Sequence, residues 1–218
     1  MIVRLRPGPA LIAGILWGSI WGLYEATVGF LIHSVPRVPG AASVLVVPFA
    51  LFCLFRAARI GGARASAIAA ATAAAIKLMD LMLPVLAPFA VINPAVAILL
   101  EGLAFLVVTR ALRWPVEKRA LPVLAAGALS FNLLWRALFL LHQAVVEGMG
   151  VAGFLLNGGR VPLDFLVRDA VLSAAVISLV LGVTRPATGA LAIRRPSTRL
   201  AFGMFALAIA AELAGRLV

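Results

Sequence analysis

The chain has 218 residues, of which 64% are hydrophobic and only 12% charged, and its mean hydropathy is +1.12. A soluble domain carries about half its residues apolar and about a quarter charged, so water is excluded as the main solvent and residues 1–218 are read as a single integral membrane domain. The net charge of +11 does not indicate nucleic acid as a partner, because the basic residues lie in separate short segments and form no patch; they suit anionic membrane lipids instead.

Met1–Pro9 is short and basic, and an apolar stretch follows it to about residue 33. That stretch contains Glu25 and lacks a small-x-small cleavage site, so it is read as a retained first span. Breaks at glycine, proline and arginine clusters give seven candidate spans at 9–33, 40–57, 64–87, 92–112, 120–145, 165–184 and 199–217. A crossing helix needs about 20 apolar residues. The last segment carries Glu212 and Arg216 and also suits an interfacial helix, which makes the count six to seven. No alternating barrel-type segment is present, so the expected fold is an all-α polytopic bundle.

Basic residues alternate between connecting segments. The segments before span 1 and after spans 2, 4 and 6 hold thirteen, and the opposite side holds Arg37, Arg160 and Arg216. The positive-inside rule then puts the N-terminus in the cytoplasm, and the location is read as a bacterial or archaeal cytoplasmic membrane.

Along span 1, Gly14, Gly18 and Gly22 recur every four residues, a stripe that admits a second helix closely, within the chain or from a separate subunit. Trp17, Trp21 and Glu25 form a further stripe with Tyr24 beside it, and His33 lies at the outer end. Span 2 holds the single cysteine, Cys53, which is read as packing. Span 3 opens with the smooth run ASAIAAATAAA and carries Lys77 and Asp80, an i,i+3 pair on one face. In the link to span 4, Asn93-Pro94 is read as a helix start, with Asn93 as N-cap. Glu101 follows near the centre of span 4. Span 5 carries a stripe of Asn132, Arg136 and Gln143, with His142 beside its end. Residues 145–164 hold five glycines around Phe154, Leu155 and Leu156 and are read as a lid. Span 6 opens with Arg168 and Asp169.

With this topology every ionisable group within a span lies from mid-membrane outward. A charge at the bilayer centre costs roughly 2.5–3.5 kcal/mol, so these side chains are expected to turn inward, pairing or lining a pocket. The candidate ligand-binding residues are Glu25, Lys77, Asp80, Glu101, Asn132 and Arg136, with Trp21 and Tyr24 as aromatic walls. Near-neutral charge favours a small polar or zwitterionic ligand. No P-loop, HExxH or GxSxG motif and no zinc-type spacing occurs, so neither a catalytic set, a metal nor a cofactor is expected.

The apolar bundle, the outward polar groups, the glycine-rich lid segment and the Gly14–Gly18–Gly22 stripe together resemble the substrate-binding S components of energy-coupling factor (ECF) vitamin transporters. The resemblance is architectural and covers most of residues 9–185; the segment at 199–217 is additional to that family's usual six helices. It implies capture of a small organic nutrient on the outer side and docking, through the glycine stripe, to a transmembrane coupling subunit that carries ATPases. Three other readings are a self-sufficient proton-coupled carrier using Glu25, Asp80 or Glu101, a membrane enzyme acting on a lipid or isoprenoid, for which no nucleophile–base set is present, and a membrane assembly or scaffold subunit.

Overall fold

The structure is a computed structural model and describes residues 7–29, 31–32, 41–83, 87–113, 121–146, 161–188 and 196–215. Among these residues there is no strand. Helix α1 spans Pro9–Tyr24 and continues as a π-helical turn, Glu25–Gly29. Its start follows the usual chemistry: Gly8 is extended, and Pro9 occupies the first turn, where a missing N–H costs nothing.

The next helical segment, Ala41–Leu78, is too long to be one element. Thirty-eight residues at 1.5 Å each would reach about 57 Å, nearly twice the hydrocarbon thickness. It breaks at Gly61 (φ −133°, ψ 16°) and Gly62 (φ 68°, ψ −164°), the second in a region that L-residues with a side chain rarely adopt. The Ser66 hydroxyl donates to the Leu54 carbonyl at 3.1 Å. On a continuous helix those residues would stand about 18 Å apart, so the chain reverses here into a helical hairpin of α2 (41–60) and α3 (63–78). The predicted break between residues 57 and 64 therefore stands, at a turn of two residues.

A 3-10 turn, Met79–Met82, ends α3. Helix α4 spans Pro88–Leu112, α5 spans Leu121–Val146, and α6 spans Asp169–Thr188 behind a short turn, Val161–Leu163, and a second π-helical turn, Asp164–Arg168. Helix α7, Thr198–Ala214, is capped by Ser197, whose side chain accepts from Leu200 N at 3.2 Å. The start of α4 corrects the sequence reading. Pro88, not Pro94, sits in the first turn, and Asn93 and Pro94 lie inside the helix.

The chain forms two compact units, with boundaries inside α2 and α4. The first contains residues 1–34, 49–102 and 193–218, and the second residues 35–48 and 103–192. In the first unit α1, α3 and α7 run parallel. Along α1, Gly14, Gly18 and Gly22 meet Ile68, Ala69 and Ile76 in turn, and Gly215 at the end of α7 lies against Ala26. In the second unit α5 and α6 are antiparallel, with Leu121 beside Gly182 at one end and Arg136 beside Ser173 further along.

The contact between α1 and α3 is close. A Cβ added to Gly18 would stand 2.4 Å from the Ala69 carbonyl oxygen and 2.6 Å from the Thr72 Cβ. The glycine stripe is thus buried by this chain's own third helix. That corrects the expectation that Gly14, Gly18 and Gly22 present a docking face to a coupling subunit: the face is already filled, because the alanines of α3 allow the same close approach.

Nearly half the buried apolar residues among those described are alanine, while the large exposed ones are mostly leucine, valine and phenylalanine. A soluble domain buries most of its large apolar side chains instead. Among the described residues, five helical segments are long and apolar enough to cross a membrane by length and composition: Pro9–Gly29, Val44–Met82, Pro88–Leu112, Leu121–Val146 and Asp164–Gly182. Small side chains between helices and bulky ones outside fit a multi-pass membrane protein.

Candidate ligand-binding site

The buried polar residues form two clusters of different kinds. In the first unit, Lys77 at the end of α3 lies between two carboxylates. Its Nζ donates to Asp80 Oδ2 at 3.2 Å and to Glu212 Oε1 of α7 at 2.5 Å. The 3-10 turn after α3 carries Asp80 back toward Lys77, because residues three apart eclipse there. Lys77 is 8% exposed, Asp80 0% and Glu212 2%. One cation thus lies against both acids, and the cluster joins α3 to α7.

The other expected residues of this unit do different things. Trp21 is fully buried and donates from Nε1 to Glu25 Oε1 at 3.3 Å, which realises the predicted stripe on α1. Tyr24 stacks on Phe49, with ring centroids 4.0 Å apart. Trp17 packs edge-on against Phe52 and beneath the Arg56 guanidinium, 5.2 Å from its ring centroid. Glu101 is buried on α4 beside Gly102, where α4 packs tightly against Ala70 of α3.

In the second unit α5 carries Asn132, Trp135 and Arg136, which are 0%, 5% and 1% exposed. Spacings of three and four residues put them on one helical face. The Arg136 guanidinium lies over two rings, 4.5 Å from the Trp135 centroid and 4.6 Å from that of Phe165. It donates from Nη2 to the Ser173 hydroxyl at 3.3 Å and, at the long limit of 3.5 Å, to the Asp169 carbonyl. Phe165 lies in the π-helical turn before α6, and it precedes Asp169 and Ser173 at intervals of four. The turn thereby brings one ring and two oxygen acceptors to the same arginine. Each contact of a desolvated guanidinium with a ring contributes on the order of 1 kcal/mol, so the plane of Arg136 is fixed before any ligand arrives.

Two polar atoms on this face remain unsatisfied. Asn132 donates from Nδ2 to the Ala128 carbonyl at 2.9 Å, but its buried Oδ1 accepts nothing, and the buried indole Nε1 of Trp135 donates to nothing. A buried group without a partner costs about 1–3 kcal/mol, and native interiors hold few of them. The face therefore offers one strong acceptor and one donor beside aromatic walls. The surrounding charges balance: Arg136 and Arg168 against Asp164 and Asp169. Arg168 bonds Asp169 Oδ1 at 2.9 Å and Asp164 Oδ2 at 3.2 Å.

Sequence reasoning named Asn132 and Arg136 of this cluster. It missed Trp135, Phe165 and Ser173, although an indole next to a membrane arginine was a visible signal. It also left Glu212 out of the site, though a lone acid in an apolar segment marked it. Asn132 and Arg136 belong to the second unit, and Glu25, Lys77, Asp80, Glu101, Trp21 and Tyr24 to the first. His33 and the central part of the expected lid, residues 147–160, lie outside the described residues. Among the described residues no group of three or more His, Cys, Asp or Glu side chains is arranged to hold a metal. Comparison with family models, with curated proteins and with solved structures gave no match.

Proposed function

We propose that this chain is a multi-pass protein of a bacterial or archaeal cytoplasmic membrane that captures a small polar nutrient, in the manner of an S component, with its N-terminus in the cytoplasm. The observation that carries the reading is the pair of unsatisfied atoms on α5, Asn132 Oδ1 and Trp135 Nε1, next to the ring-flanked Arg136. A small flat molecule with one hydrogen-bond donor and one acceptor would satisfy both atoms and stack on the aromatic walls. The balanced charges around Arg136 favour an uncharged or zwitterionic ligand over a strong anion.

Two features support the topology. Thirteen basic residues fall on one side of the proposed spans and three on the other. Odd-numbered helices α1, α3 and α7 run parallel, while α2 opposes α3 and α6 opposes α5, the order that serial crossing requires. With a seven-span count, α7 crosses as the last helix. The sequence contains no P-loop, so energy for uptake would come from ATPases acting through a coupling subunit, docked on a face other than the filled glycine stripe.

The test is to purify the full chain in mild detergent, denature it, and identify released small molecules by mass spectrometry, beside the Asn132→Leu variant. Wild type should release a compound that bears both a donor and an acceptor, and the variant should release at least about tenfold less, the factor that corresponds to one lost hydrogen bond to a buried group. Equal small-molecule content in the two proteins, or none in either, rejects capture at this face.

A further inference from the structure

The first unit has a concave apolar surface on which neither cluster draws. A groove of about 270 Å³ is lined by Ile15 of α1, Ile68, Ala71, Thr72 and Ala75 of α3, and Phe202 and Phe205 of α7. Ala71, Ala75 and Phe202 are exposed. Small residues on α3 make the hollow and the two phenylalanines wall it. An apolar hollow by itself would take any hydrocarbon, and the charges at one end narrow the choice.

Arg64 lies one turn before Ile68 on α3, and Arg199 lies one turn before Phe202 on α7. Spacings of i,i+4 and i,i+3 put each arginine on the same helical face as the groove residue it precedes. Helices α3 and α7 run parallel, so both arginines stand at the same end of the groove. Both are exposed, and neither makes a salt bridge or side-chain hydrogen bond among the described residues. Helical side chains lean toward the N-terminus, so two long cationic arms extend past the groove toward the membrane surface. The N-termini of α3 and α7, with their partial positive charge, lie at that same end.

The geometry points to a site for one anionic diacyl phospholipid, with an acyl chain along the groove and its phosphate held by Arg64 and Arg199. Positive-inside orientation puts this end at the cytoplasmic leaflet, where anionic lipids concentrate and basic pockets between helices hold their headgroups. The site rests on the membrane reading but is independent of the nutrient face, which belongs to the other unit.

The test uses the full chain in detergent with phosphatidylglycerol or phosphatidylcholine carrying identical acyl chains, read by native mass spectrometry. Wild type should prefer phosphatidylglycerol by roughly thirtyfold, the factor that two interfacial arginines supply. Arg64→Gln with Arg199→Gln should bring the two lipids to equal retention. Ala71→Leu with Ala75→Leu, at exposed positions that tolerate bulk, should lower retention of both by filling the groove. Inorganic phosphate at millimolar concentration should displace neither. An unchanged preference in the arginine variant overturns the proposal, as does full retention in the filled groove, displacement by phosphate alone, or a second copy of the chain bound in place of lipid. Asn132→Leu should leave the lipid preference at the wild-type value, which separates failure here from failure of the nutrient site.

Discussion

The buried cations of the two units, Lys77 and Arg136, sit in opposite situations. Lys77 has its charge answered by two carboxylates in contact, and the resulting set links α3 with α7. Arg136 bonds a hydroxyl and a carbonyl and is flanked by rings, while two neighbouring polar atoms on its helix have no partner. The first arrangement resembles a lock, and the second is the face we propose for a ligand. What separates them is the kind of partner, carboxylates for the lysine and rings with neutral oxygens for the arginine, a property that charge and depth alone do not reveal. Buried ion pairs add little net stability but are costly to break, and unsatisfied groups cost stability until something fills them.

The comparison predicts opposite signs for substitutions in the two clusters. The largest effect is expected at Lys77. Lys77→Ala strands two buried carboxylates and should destabilise by about 3–5 kcal/mol, measured by unfolding in mixed detergent–SDS micelles. The triple variant Lys77→Met, Asp80→Leu, Glu212→Met should recover most of that loss, since an apolar set of similar volume replaces the ions. Failure of the triple variant to recover would make the triad more than a lock.

Next comes the α1–α3 seam. Gly18→Leu drives a side chain into the Ala69 carbonyl and should cost about 1–3 kcal/mol by overpacking, with the same unfolding readout. A neutral result would mean that α1 and α3 separate easily and that the glycine stripe is free to take another partner. A smaller effect, of reversed sign, is expected at Asn132. Asn132→Leu removes a buried acceptor without a donor and should stabilise the ligand-free protein by about 1 kcal/mol. Destabilisation there would place Asn132 with Lys77 as a structural residue and end the contrast. The smallest effect is expected at Asp164→Asn. Its side chain is 48% exposed and that of its partner Arg168 46%, Arg168 keeps its bond to Asp169, and such exposed pairs contribute little, so the melting temperature should stay within replicate scatter.

Much of the helical layout was legible because length and apolar runs set it. The fifth segment was expected at 120–145 and is Leu121–Val146; the break between the second and third was expected between 57 and 64 and falls at Gly61–Gly62. The start of α4 was misread because two prolines competed. Pro94 follows an asparagine that makes a good cap, but Pro88 occupies the first turn, and the helix absorbs the loss of one N–H at Pro94. Of the site, the Lys77–Asp80 pair followed from i,i+3 spacing. The third member, Glu212, lies 135 residues away along the chain, and no local pattern assigns such a partner. The destination of the glycine stripe was equally hidden, because small residues state that something approaches closely without stating what.

A reversal only two residues long leaves α2 and α3 little freedom to part. With Gly62 at a positive φ and helix on either side, the two arms stay side by side from the turn onward. A reporter or epitope inserted between Gly61 and Gly62 should therefore do more than mark a side of the membrane: by adding length, it loosens the tether between the arms, and the protein should unfold at a lower fraction of SDS.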